Sequence, residues 1–152
     1  MKTARRKDTT TAARWTAGAL MSPQPVTIGR HESLATAHRL MTENAVRHLP
    51  VLEHGELVGV LSQRDLFLVE SIRSVKVDVD TVDDAMSSDT YAIGPDEPIA
   101  TVAKHMMRKR YGCAVVMERG RVIGIFTVTD ALRLVSALAP APEVVKPHAE
   151  RS

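Results

Sequence analysis

Aromatic residues are scarce in this 152-residue chain, and Trp15, Phe67, Tyr91, Tyr111 and Phe126 are the full set. The interior must therefore be filled by Val, Leu, Ile, Ala and Met. Cysteine is scarcer still: Cys113 stands alone, so no intrachain disulfide can form, which fits a reducing cytoplasm. No uncharged apolar run approaches the roughly 18–20 residues of a membrane span. The basic N-terminus is followed by no apolar stretch that would make it a signal peptide. His31, His38, His48, His54 and His105 lack metal-ligand spacing. Cys113 has no recognisable base beside it and reads as a small strand residue. With no nucleophile–base pair in view, the expectation is a protein that is not an enzyme.

Charge is also unevenly supplied. The formal net charge is +2, but Lys2, Arg5, Arg6, Lys7 and Arg14 lie at one end, against Asp8 alone. The remainder is slightly acidic, which argues against a nucleic-acid-binding core. Residues 1–15 are expected to form a basic, disordered tail, and a solvated arm is the simpler reading of it than a nucleic-acid contact. A short helix starting near Thr11 should carry Trp15, Leu20 and Met21 to the core.

What the chain does have is an internal repeat. From Met21 it aligns with itself at an offset of 65 residues without a gap. Met21-Ser22 falls on Met86-Ser87, Ile28-Gly29 on Ile93-Gly94, Ala35-Thr36 on Ala100-Thr101, Gly59 on Gly124 and Asp65 on Asp130. Two copies are too few for a solenoid and point to a pseudo-symmetric pair sharing a core.

Each copy predicts the same elements. Val26-Thr27-Ile28 reads as a short strand, and Glu32-Ser33 opens a helix with Leu34, Ala37, Leu40 and Met41 on one face. In the second copy Pro98 suits a first helical turn, with Ile99, Val102, Ala103, Met106 and Met107 on the buried face. Arg108-Lys109-Arg110 then falls at the helix C-terminus, where positive charge opposes the dipole. Strands over 49–52 and 57–61, and over 114–117 and 122–126, are joined by turns at Gly55 and Gly120. A closing helix follows in each copy. It is apolar at Leu66, Leu68, Val69 and Ile72 in one, and at Ala131, Leu132, Leu134, Val135 and Leu138 in the other.

The most informative stretch is Gly59-Val60-Leu61-Ser62-Gln63-Arg64-Asp65, repeated as Gly124-Ile125-Phe126-Thr127-Val128-Thr129-Asp130. A hydroxyl at a strand's end, with an acid three residues on, is a helix N-cap. Taken alone, Asp65 and Asp130 are first-turn acids worth ~0.3–1 kcal/mol each. They are equally well placed to receive a ligand.

These motifs together resemble the cystathionine-beta-synthase (CBS) domain pair. The residues that carry the resemblance are Met21-Ser22 and Met86-Ser87, the strand Arg47-His48-Leu49-Pro50-Val51, and the two Gly-to-Asp steps. It covers about residues 16–138. It implies an α+β (mixed α/β) fold of duplicated β-α-β-β-α CBS units packed as a pseudo-two-fold pair. The implied layout is a first unit at 16–74, a linker at 75–80, a second unit at 81–138 and a loose tail at 139–152. It further implies clefts for an adenosine-containing ligand (AMP, ADP, ATP or S-adenosylmethionine), no required cofactor, a homodimer of CBS pairs, and a stand-alone cytoplasmic regulatory role towards an unknown protein target.

Carried over residue by residue, Asp65 and Asp130 would bind ribose, while Ser62 and Thr127 would meet a ribose or phosphate oxygen. Val26-Thr27 and Tyr91-Ala92 would line the adenine pocket. Arg47, His48, Leu49, Pro50 and Arg64 would serve the first cleft. In the second copy Gly112, Cys113, Ala114 and Thr129 stand at the matching places, with fewer charges, so unequal sites are expected. Arg110 and Lys109 are the candidates to compensate there. A ligand-independent interaction module is the alternative function.

Overall fold

The computed structural model describes residues 14–72 and 74–142. Most of the expected N-terminal tail, Arg73 near the end of the expected first unit and residues 143–152 lie outside the described residues.

The order of elements is α1 (Ala17–Leu20), β1 (Ser22–Pro23), β2 (Ile28–Gly29), α2 (Leu34–Asn44), β3 (His48–Glu53), β4 (Glu56–Ser62) and α3 (Gln63–Glu70). It continues with α4 (Val82–Ala85), β5 (Ala92–Ile93), α5 (Ile99–Lys109), β6 (Cys113–Glu118), β7 (Arg121–Thr127) and α6 (Val128–Leu138). One sheet has the order β2-β3-β4 and the other β1-β7-β6-β5. In each, a two-residue strand runs parallel to the first long strand, reached through a helix, and the two long strands form an antiparallel hairpin. The hairpins share a register irregularity at the same place, after Val51 and after Val116. Both turn on two positive-φ residues, His54-Gly55 and Arg119-Gly120. That backbone matches the twist of paired strands.

Helix boundaries follow local chemistry. Ser33 caps α2 by accepting from the Thr36 amide at 3.1 Å. Pro98 is not in the first turn of α5 but caps it with extended backbone, so Ile99 is the first helical residue. Both α2 and α5 end in a left-handed residue, Ala45 and Arg110. That turn frees the chain to enter the next strand. The expected buried faces hold at Leu34, Ala37 and Met41, and at Ile99, Val102 and Met106. Met107 is 73% exposed, because α5 buries one stripe and Met107 falls just outside it.

The chain order and the spatial order differ. Helix α1 does not serve the repeat that follows it in sequence. Ala17, Leu20 and Met21 pack with Ile93, Val102, Val116 and Phe126, whereas Val82, Ala85 and Met86 pack with Leu34, Val51, Leu61 and Leu66. Backbone bonds fix this exchange symmetrically. Ala17 N–H donates to Glu97 O at 2.8 Å, and Val82 N–H donates to Glu32 O at 2.9 Å. Likewise β1 pairs with β7, with Ser22 opposite Ile125, and Ser87 bridges to Val60. Trp15 stays at the surface, 38% exposed, rather than reaching the core. The stretch expected as a linker is docked: Val75 and Val77 pack against the first core, and Val77 O accepts from the Ala35 amide.

Candidate functional site: a cleft between the repeats

Strand β4 delivers Ser62 to the first turn of α3, where a reciprocal cap forms. The Asp65 amide donates to Ser62 Oγ at 3.1 Å, and Ser62 N–H and Oγ–H both donate to Asp65 Oδ2 at 2.8 Å. Thr127 and Asp130 make the same cap on α6. Both acids are therefore structural to this extent, as the local pattern alone would have it.

The second carboxylate oxygen separates them. Asp130 Oδ1 accepts from Ser22 Oγ at 3.1 Å and from Arg133 Nη1 at 2.9 Å, and the residue is only 9% exposed. Among the described residues no such bond is made to Asp65 Oδ1. The position matching Arg133 is Leu68, which has no charge to offer. An acid and a cation three residues apart on a helix was a readable signal for this difference.

Asp65 lies in a cleft of about 660 Å³ built from both repeats. The first repeat contributes Arg47, His48, Ser62, Gln63, Arg64 and Asp65, with Phe67 and Leu68 further along α3. The second contributes Ser87, Asp89, Thr90 and Tyr91 from the segment that crosses between the sheets, and Arg110, Tyr111, Gly112 and Cys113 from the turn after α5. Arg110 is thus a correction: it does not compensate the second set but joins the first. The left-handed turn that ends α5 places it there. Arg47, Arg64 and Arg110 are all exposed and make no salt bridge among the described residues. This is a cationic opening with its charges unspent.

His48 and Gly112 meet across the cleft floor. A Cβ on Gly112 would lie 2.6 Å from His48 Nε2, so the second repeat has glycine where the first has Arg47 because the imidazole takes the space. Burial pushes the His48 pKa below its ordinary value, Asp65 opposes this, and Arg47 reinforces it. The imidazole is therefore favoured in its neutral form. The Cys113 thiol is pushed up to about 12, chiefly by burial and then by the charge of Asp65. A thiol so far from ionisation is a packing group.

Nine of the expected site residues converge here: Arg47, His48, Ser62, Arg64, Asp65, Tyr91, Arg110, Gly112 and Cys113. The other nine do not. Leu49, Pro50 and Ala114 are buried in the sheets as core residues. Val26 packs on the first core, and Thr27 is half-buried away from the cleft. Ala92 alternates to the exposed side of β5, opposite Val115, while Tyr91 faces the cleft. Thr127 and Asp130 are committed to the cap of α6, and Thr129 points to solvent. Sequence reasoning missed Ser87, Asp89, Thr90 and Tyr111, since their approach depends on the crossing segment.

A smaller cavity of about 320 Å³ lies by Arg30, His31 and Glu53, but its charges are paired off. Arg30 bridges Glu53 at 2.5 Å and Asp83 at 2.8 Å. Among the described residues no group of acids, His and Cys could hold a metal ion, and no helix is long and apolar enough to cross a membrane.

Two repeated sheet-and-helix units with an exchanged opening segment and a cleft at their junction define a tandem two-domain architecture. The CBS domain profile matches twice, over residues 17–71 and 82–137, and the chain belongs to the CBS domain family. A CBS domain-containing protein of Dictyostelium discoideum is 31% identical over 135 residues, covering 81% of this chain and 93% of that protein. Homoserine O-acetyltransferase of Methanococcoides burtonii is 35% identical over 118 residues, but the chain spans only 23% of that enzyme's length. A solved CBS domain pair in complex with 5′-methylthioadenosine and S-adenosyl-L-methionine superposes with a TM-score of 0.69 at 26% identity, covering 78% of this chain and 98% of that one.

Proposed function

We propose that this CBS pair is a cytoplasmic regulatory module that binds one adenosine-containing ligand, AMP, ADP, ATP or S-adenosylmethionine, and passes its state to a protein partner. The observation that carries the reading is the convergence in one cleft of an Asp65 oxygen and three arginines that, among the described residues, make no hydrogen bond or salt bridge. A carboxylate at that place can accept from both ribose hydroxyls, and the guanidinium groups suit phosphate. Within the set, that charge favours the phosphorylated nucleotides over the cationic sulfonium. Support also comes from the adenosine compounds bound by the similar solved pair. Isothermal titration with the four ligands is the test. One ligand per chain is expected, with binding lost in Asp65→Ala. An absence of heat and of thermal shift with all four would refute it.

The signal would leave through α3, since a ligand that touches its N-terminus biases one arrangement of the two units. Phe67, Leu68 and Ile72 by α3, and Val128, Leu132, Val135 and Leu138 on α6, are exposed apolar side chains. Helices α3 and α6 are related by the repeat and both expose apolar side chains, so a second copy of the chain can cover them, and we read the partner surface as a homodimer interface. Light scattering should give a dimer that Leu132→Lys with Val135→Lys converts to monomer. The same faces favour the alternative reading, a ligand-independent interaction module. That reading requires Asp65→Ala to leave partner regulation intact.

A further inference from the structure

Helix α5 carries more positive charge than its place in the fold requires. Lys104 and Arg108, one turn apart on its exposed side, are like charges at a spacing where they repel. Among the described residues no acid forms a salt bridge with either. Arg108 Nη2 donates to His105 Nδ1 at 3.1 Å, a bond that brings no counter-charge. Met107 lies beside the two cations on the same face, 73% exposed. The repeat supplies a control. Helix α2 is the matching helix, of the same length and with the same left-handed end. At the matching positions it has Arg39, Thr42 and Glu43, all exposed. Its charges are opposite where those of α5 are alike, and its last turn has no basic residue. Offsetting the helix dipole therefore does not require the basic face of α5.

We propose that Lys104, Met107 and Arg108 form a docking surface for an acidic segment of a partner protein. Carboxylates would pair with the two cations, and an apolar side chain among them would cover Met107. Charge of one sign left unmatched within its own chain is what a complementary surface recognises. A nucleic acid or an anionic membrane fits less well. Either calls for an extended basic surface, whereas this is one helix face with an apolar centre. It also belongs to a chain that is slightly acidic outside its basic end. Docking here rests on the regulatory reading above only for the existence of a partner, and adds the partner's chemistry. None of the three residues lines the nucleotide cleft, so docking and ligand binding can be measured apart.

The experiment uses the full chain without nucleotide and a fluorescein-labelled octaglutamate carrying one central leucine. Anisotropy should show binding that is largely lost at ~0.5 M salt. Lys104→Glu with Arg108→Glu should weaken it about tenfold and leave AMP titration unchanged. Met107→Thr, which copies Thr42 of the first repeat, should weaken this probe but not plain octaglutamate. Amide NMR spectra of the unaltered protein should move most along α5. No binding, or a footprint at Arg47 and Arg64 in place of α5, overturns the docking surface. Tighter binding of α5 to oligouridylate or to phosphatidylserine vesicles than to the peptide overturns the partner class. Peptide docking in a protein that binds no AMP overturns the nucleotide reading alone.

Discussion

Met86 fills the space that a side chain on Gly59 would need. A Cβ there would lie 2.7 Å from the Met86 sulfur and 2.8 Å from the Ser87 carbonyl oxygen. Met21 stands over Gly124 in the same way. The two motifs that recur in the sequence are thus one contact, made from each repeat to the other. Gly59→Ala should destabilise the fold by ~1–3 kcal/mol, as overpacking of a tight site does. Urea denaturation checks this. Adding Met86→Ala should restore only part of the loss, because the Ser87 carbonyl remains in place.

Asp130 holds four groups: the Thr127 amide and hydroxyl, Ser22 and Arg133. Asp130→Ala should cost roughly 0.5–2 kcal/mol for the cap alone. It should leave nucleotide binding at one ligand per chain, since the carboxylate is buried and both its oxygens are already taken. A lowered melting temperature with an unchanged titration curve is the expected result. Loss of binding with no loss of stability would contradict it.

His48 links stability to pH. Its folded pKa lies below the ordinary value of about 6.5, because burial disfavours the charged form. The unfolded chain therefore takes up the proton first as pH falls. The stability that neutral His48 contributes is present above about 6.5, declines below it, and is fully lost once pH passes the folded pKa. The urea midpoint should drop between about pH 7.5 and 5.5, less steeply in His48→Gln. Equal slopes would remove His48 as the source.

Cys113 is expected to resist alkylation. With its thiol pushed up to about 12 and its side chain buried, iodoacetamide at pH 8 should label it only as the fold opens. Labelling should accelerate sharply in denaturant. Rapid reaction in buffer would mean that the cleft floor opens more readily than its packing implies.

Much of this protein was determined locally and so was legible in the sequence. The 65-residue repeat, the glycines at the hairpin turns and the Ser62–Asp65 and Thr127–Asp130 caps follow from spacing and side-chain chemistry within a few residues. The apolar stripes of α2 and α5 do too, apart from the edge at Met107. Other features required the chain to fold back on itself. The exchange of α1 and α4 is set by backbone bonds from Ala17 to Glu97 and from Val82 to Glu32, and no periodicity encodes it. That exchange carries residues 87–91 across to Asp65, which decides that Tyr91, Tyr111 and Arg110 serve the first cap. It also brings Ser22 to Asp130. Two acids alike in their sequence settings therefore differ in the free oxygen that a ligand would use, because distant partners satisfy one and leave the other open.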